Sequence, residues 1–172
     1  MRKNRILSLF LVGLLMIGLT ACQQAEPYKQ INISAARLQR MLNKKKDFVL
    51  LVERDNCPYC KKLNKYIKQT KDEHDGVVIY RLDMSGVTFE RTEGSDQLTT
   101  DDEDGQILLK MAPYYSYTPA VYVIRNGKVI KEGIGFDADH NTVAVWDNDS
   151  LIDFSNAEAD EYWDFVEDNQ PD

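Results

Sequence analysis

The stretch Phe48-Val49-Leu50-Leu51-Val52-Glu53-Arg54-Asp55-Asn56-Cys57-Pro58-Tyr59-Cys60 decides how this chain folds. Phe48 to Val52 is an uninterrupted apolar run of strand length, the pattern of a central strand covered on both faces. It leads directly into a Cys-x-x-Cys pair. Beyond that pair, Cys60, Leu63, Tyr66 and Ile67 fall on one helical stripe, while Lys61, Lys62, Lys65 and Lys68 take the other. A helix therefore begins at the cysteines, with Pro58 at the first helical position, where its missing N–H costs nothing. Free N–H groups and the helix dipole at that point stabilise a thiolate, which makes Cys57 the reactive sulfur. Cys60 lies one turn in, close enough to attack a mixed disulfide formed on Cys57, so the spacing supplies nucleophile and resolver together.

Working outward, Ser34 is an N-cap for a helix carrying Leu38, Met41 and Leu42, with Lys44, Lys45 and Lys46 at its C-terminal end. Val77 to Tyr80 reads as a second strand, so strand, helix and strand form a βαβ unit with parallel pairing. Asp83 to Gly105 turns polar and reads as a surface insertion, after which acids precede a short helix over Ile107 to Met111 that Pro113 stops. Ala120 to Ile124 and Lys128 to Lys131 form a hairpin through Asn126-Gly127, a dipeptide suited to positive φ. Asp137 to Asp153 shows no clear period and is expected to be loop-rich. Ser155 and Glu158 frame a capping box ahead of Ala159, Tyr162, Trp163 and Val166, the signature of a C-terminal amphipathic helix.

Composition bounds the function. The 172 residues are 43% apolar and 28% charged, which fits one folded domain. Three of the 21 basic residues, Arg2, Lys3 and Arg5, open the chain, leaving 18 against 28 acidic ones, a balance of −10. Nucleic acid is excluded as an expected partner, and a basic patch cannot attach this chain to anionic lipid. Met1 to Arg5 is instead a basic n-region, and Ile6 to Leu19 is an apolar run shorter than a spanning helix needs. Leu19-Thr20-Ala21-Cys22 resembles the lipobox of bacterial lipoproteins. That resemblance implies removal of residues 1–21, diacylation of Cys22 and stable two-chain anchoring at the outer face of the cell membrane. Residues 22–30 are then a short tether to a domain over 31–172. With Cys22 consumed by lipid, Cys57 and Cys60 are the one pair left.

The order helix, strand, Cys57-Pro58-Tyr59-Cys60, helix, strand, short helix, Thr118-Pro119 and hairpin resembles the thioredoxin-like family from about Ile31 to Gly133, plus the final helix. The resemblance implies an α/β fold with a central mixed sheet flanked by helices and loop insertions near 85–111 and 135–154. It also implies a cis bond at Pro119, in a loop beside the cysteines where substrate backbone docks. Within the family, the lipobox, the Cys-Pro-Tyr-Cys motif and Tyr117-Thr118-Pro119-Ala120 are most similar to bacteriocin transport accessory proteins and thioredoxin-like lipoproteins of Gram-positive bacteria. The implied activity is thiol–disulfide exchange on exported proteins or peptides. Cys57 and Cys60 are the catalytic pair, Pro58, Tyr59, Tyr117, Thr118 and Pro119 line the substrate site, and a membrane redox partner is possible. No cofactor beyond the redox-active Cys57–Cys60 disulfide is expected, and no metal. A non-catalytic accessory module for an exported peptide such as a bacteriocin is the alternative.

Two departures from the family stand out. Thioredoxins carry a buried aspartate six residues before the first cysteine, where this chain has Leu51. Glu53, on the same strand face, is a candidate proton relay or a solvated carboxylate. The second departure is the length of Ser85 to Met111. Zinc lacks a second half-site, since His74 and His140 are isolated, and a structural disulfide across so short a loop would stabilise little. Asp102 and Asp104, and the Asp137 to Asn141 segment, lack the full pattern of a calcium loop and read as turns. Tyr114, Tyr115 and Tyr117 are either an aromatic wall for substrate or packing.

Overall fold

Val49 and Leu51 point to one side of the strand over Phe48–Glu53, and Phe48, Leu50 and Val52 to the other, and every residue of that strand is buried. A strand buried on both faces needs a layer of helices on each, and the computed structural model, which describes residues 26–171, has that arrangement. In chain order the elements are β1 (Lys29–Ile33), α1 (Ala35–Asn43), β2 (Phe48–Glu53), α2 (Pro58–Thr70) and a 3-10 turn (Lys71–Glu73). There follow β3 (Val78–Asp83), β4 (Glu90–Arg91), β5 (Leu98–Thr99), α3 (Glu103–Met111) and β6 (Ala120–Arg125). The chain ends with β7 (Lys128–Asp137), β8 (Thr142–Trp146), β9 (Glu158–Glu161) and α4 (Tyr162–Glu167).

Seven strands make one mixed sheet in the order β1-β3-β2-β6-β7-β8-β9, with β4 and β5 as a separate ribbon. β1, β3 and β2 pair parallel, and every later neighbour is antiparallel. Leu38 and Met41 of α1 and Leu108 of α3 cover the face carrying Leu50 and Tyr122. Leu63 and Ile67 of α2, with Tyr162, Trp163, Phe165 and Val166 of α4, cover the face carrying Leu51 and Val121. Each fully buried aliphatic side chain of β2 is worth roughly 1.5–3 kcal/mol relative to exposure, so β2 is the strand the fold is built on. Ser34 caps α1, its hydroxyl accepting from the Arg37 N–H at 3.3 Å. Asp102 caps α3, its carboxylate accepting from the N–H groups of Asp104 and Gly105, so its role there is local.

Four expectations need correcting. The domain begins before Ile31: Lys29 and Gln30 already pair with Val78 and Ile79, and Tyr28 packs edge-on against Trp163 with ring centroids 5.6 Å apart. The segment after Asp137 is not loop throughout: between turns on either side, Thr142-Val143-Ala144-Val145-Trp146 forms β8 and extends the sheet. The capping box at Ser155 does not form. The Ser155 hydroxyl donates to Asp153 at 2.6 Å, and Glu158–Glu161 pairs with β8 as an edge strand. α4 therefore starts only at Tyr162, although Tyr162, Trp163 and Val166 do face the core. Part of the region near 85–111 also belongs to the core, since Val87 and Leu108 are buried there. Among the described residues no helix is long and apolar enough to cross a membrane. Residues 1–21 and Cys22 lie outside the described residues.

Candidate functional site

β2 ends at Glu53, and four residues later Cys57 stands as the N-cap of α2 in an extended conformation, φ −97° and ψ 116°, with Pro58 next. Its Sγ accepts a hydrogen bond from the Cys60 N–H at 3.0 Å. A second contact reaches it from across the sheet, where the Cys57 thiol donates to the Thr118 carbonyl at 3.1 Å. The Thr118–Pro119 bond is cis. One sulfur thus touches both the helix start and the loop ahead of β6. The helix N-terminus directs an N–H at Cys57, the arrangement that receives developing negative charge.

The two thiols differ. Cys57 is 9% exposed and Cys60 2%. Burial, with the hydrogen bond to Cys57, pushes the Cys60 thiol up to about 12. Both are free thiols. Cys60 therefore holds its proton until a base removes it, whereas Cys57 is the sulfur that an incoming disulfide reaches first.

The loop before Cys57 is fastened by residues that sequence reasoning passed over. The Arg54 guanidinium donates to the Val87 carbonyl at 2.8 Å, and the Asp55 N–H donates to the Ser85 hydroxyl at 2.7 Å. Ser85 is held in turn by Asp83. The start of the polar segment beyond β3 is thus a brace for the cysteine turn, a role that no local pattern in either segment announces.

Glu53 is fully buried, so the reading of it as a solvated carboxylate is overturned. Its Oε2 accepts from Arg81 Nε at 2.5 Å and its Oε1 from Asn64 Nδ2 at 2.7 Å. Burial raises its pKa against the opposing pull of Arg81 and Asn64. Asn64 is four residues beyond Cys60, hence one helical turn, about 6 Å, along the same face of α2. The carboxylate is thus tied to α2 through Asn64, one turn beyond the resolving thiol.

The tyrosines separate. Tyr115 is buried, its ring 5.2 Å from Phe89, and belongs to the core. Tyr59, between the two cysteines, and Tyr117, in the loop ahead of β6, stand 55% and 45% exposed. Tyr117 packs edge-on against the exposed Phe154, with centroids 5.2 Å apart. Phe154 was not legible as a site residue, since a single aromatic between Asp153 and Ser155 has no periodic partner. His74 stacks on Trp163 and bonds Glu167, and His140 bonds Asp137, so each has a local role away from the cysteines. Among the described residues no group of three or more His, Cys, Asp or Glu is placed to hold a metal ion.

The thioredoxin-like domain family matches residues 35–140, a span that contains Cys57, Cys60 and Pro119. The chain belongs to the thioredoxin-like family. Solved thioredoxins are similar to it at low identity. Thioredoxin NaTrxh from Nicotiana alata is 16% identical, with 68% of this chain and 90% of that one covered and a TM-score of 0.44. Thioredoxin O2 from Arabidopsis thaliana in the oxidized state is also 16% identical, with 64% and 85% covered and a TM-score of 0.42. No curated protein sequence matches the chain. Membership of the thioredoxin-like family, with two free thiols at the start of α2, supports an activity of the thiol–disulfide oxidoreductase kind.

Proposed function

We propose that this protein is a lipid-anchored, extracytoplasmic thiol–disulfide oxidoreductase acting on exported proteins or peptides. The observation that carries the redox part is the Cys60 N–H held at 3.0 Å from Cys57 Sγ while the Thr118 carbonyl meets the same sulfur. In the reducing direction, Cys57 thiolate attacks a substrate disulfide, a new S–S bond forms, and one substrate thiolate leaves. Cys60 then loses its proton and attacks Cys57 Sγ. The Cys57–Cys60 disulfide forms, the second substrate thiolate departs, and two electrons have passed to the substrate. The oxidising direction reverses these steps. Glu53, beneath α2, is the group we assign to take the Cys60 proton, since its buried carboxyl has a raised pKa and a fixed orientation.

The address rests on Leu19-Thr20-Ala21-Cys22 and the basic n-region, which support cleavage of 1–21 and lipid attachment at Cys22. Together with Cys-Pro-Tyr-Cys they support placement near the bacteriocin transport accessory proteins and thioredoxin-like lipoproteins. The deciding experiment is thiol trapping of the full chain across defined redox buffers. A potential near about −120 mV makes the protein a disulfide donor, and one near about −270 mV makes it a reductant that draws electrons from a membrane partner. A pair that never cycles overturns the redox reading and leaves a peptide-binding accessory module, which the exposed Tyr59, Tyr117 and Phe154 would favour.

A further inference from the structure

Beside the cysteine turn lies an open cavity of about 500 Å³. This is within the ~300–1,000 Å³ of typical ligand pockets. Tyr117 and Thr118 line both it and the depression that holds Cys57, so the two adjoin at that loop. Its aromatic walls are Tyr59, Tyr117, Phe136 and Phe154. Ala138, Ala144, Ala157 and Ala159 keep it open, since none has a side chain long enough to fill it. Its far wall comes from residues beyond 140, outside the segment that matches the family, where β8 and β9 pair with Ala144 opposite Ala159. The rim is acidic: Asp137, Asp139 and Glu158 line it against a single cation, Lys62, which lies 5.6 Å over the Tyr59 ring.

We propose that this cavity is a specificity subsite for an extended, positively charged polypeptide segment that packs an aromatic or large aliphatic side chain against the Tyr117–Phe154 pair. Charge selects the partner. A second copy of this chain, acidic overall at −7, is repelled by the same rim, and so is an anionic lipid surface. Adjacency to Cys57 selects an extended backbone, because a segment crossing Tyr117-Thr118 reaches both the thiol and the cavity. The inference deepens the oxidoreductase reading and rests on it only for the cysteine that the segment brings.

The test is fluorescence polarisation of the full chain with short, cysteine-free, fluorescein-labelled peptides. One has a central phenylalanine flanked by lysines, one replaces phenylalanine with alanine, and one replaces the lysines with glutamates. The phenylalanine–lysine peptide is expected to bind at least about tenfold tighter than either control, and to weaken sharply in about 0.5 M salt. Phe154→Ala should erase the preference for phenylalanine while Phe154→Leu retains it. Joint Asp137→Asn, Asp139→Asn and Glu158→Gln substitution should erase the preference for lysine. Equal binding of the three peptides overturns the proposal, as does a phenylalanine preference that survives Phe154→Ala. Turnover of a small non-peptide disulfide, measured alongside, separates the two failures: its loss sinks the redox reading, while loss of peptide discrimination sinks the subsite.

Discussion

Glu53 and Arg81 form an ion pair 2.5 Å long between neighbouring parallel strands, under the helix that carries Cys60. The carboxylate is fully buried and the guanidinium only partly so, which makes the pair asymmetric: removing Arg81 strands a charge, and removing Glu53 does not. Arg81→Met is expected to cost roughly 2–4 kcal/mol of stability, most of it above the pKa of Glu53. Glu53→Gln should instead fold well and slow the release of a mixed disulfide on Cys57 by about tenfold or more. In the wild type that release should accelerate as pH rises through the raised pKa of Glu53, because only the ionised carboxylate accepts a proton. Stopped-flow release rates against pH decide it, and an acid limb that persists in Glu53→Gln removes Glu53 from the relay.

Cys57 and Cys60 should fail differently. With Cys57→Ser, turnover should fall by roughly 100-fold or more, and no adduct should form on Cys60, whose thiol stays protonated near neutral pH. Cys60→Ser should retain attack and accumulate a covalent adduct on Cys57, visible by intact mass after acid quenching. An adduct mapped to Cys60 in the Cys57→Ser protein would reverse the assignment of nucleophile and resolver.

What could be read from the residues alone follows the strength of each local signal. Phe48 to Val52 and the cysteine turn are legible because a contiguous apolar run and Pro58 at a helix start leave few alternatives. Asn126-Gly127 is legible for the same reason, since both residues take positive φ. β9 is not, because Glu158-Ala159-Asp160-Glu161 has poor strand propensity and is extended only through its pairing with β8. The helical spacing of Tyr162, Trp163 and Val166 is real, but it does not extend back over that strand. Lys29 to Ile33 offers two isoleucines and no run, so its pairing with β3 is hidden. Glu53 shows the same limit at the site. Its burial depends on Arg81, 28 residues away, and no pattern within β2 encodes that partner.

Glu132 gives the fold an unusual pH dependence. It is 2% exposed on β7, opposite Tyr122 and Trp146, and burial, reinforced by Asp147 and Asp149, pushes its carboxyl up to about 8 from an ordinary 4.5. The folded chain therefore holds this proton more tightly than the unfolded chain. The associated stability is fully present below about pH 4.5 and is lost as pH rises through about 8, for a total of roughly 3–5 kcal/mol. Glu132→Gln should remove that slope and leave the variant more stable than wild type at about pH 9. Urea midpoints at about pH 5, 7 and 9 provide the measurement, and parallel curves for the two proteins would contradict the assignment.

Gly127 ties the β6–β7 hairpin to the end of α1 through space rather than through a bond of its side chain. Its φ of +72° follows Asn126 at +51°, and a Cβ at this position would lie 2.3 Å from the Leu42 carbonyl oxygen and 3.1 Å from the Lys45 Cα. Both neighbours are backbone, so neither can swing aside. The approach is fixed from the other side by the Asn126 N–H, which donates to Asp47 at 2.6 Å, and the Gly127 N–H, which donates to the Lys46 carbonyl at 3.3 Å. Gly127→Ala combines a left-handed backbone without glycine and a clash with a helix end, for about 2–4 kcal/mol in all. In a chain of this size that is a fall of roughly 5–15 °C in Tm. Asn126→Gly, which needs the same φ and adds no atom, should stay within about 1 kcal/mol of wild type. Thermal unfolding of the two variants side by side checks the contact, and a Gly127→Ala protein that melts with the wild type would mean that the hairpin does not rest on α1 as described.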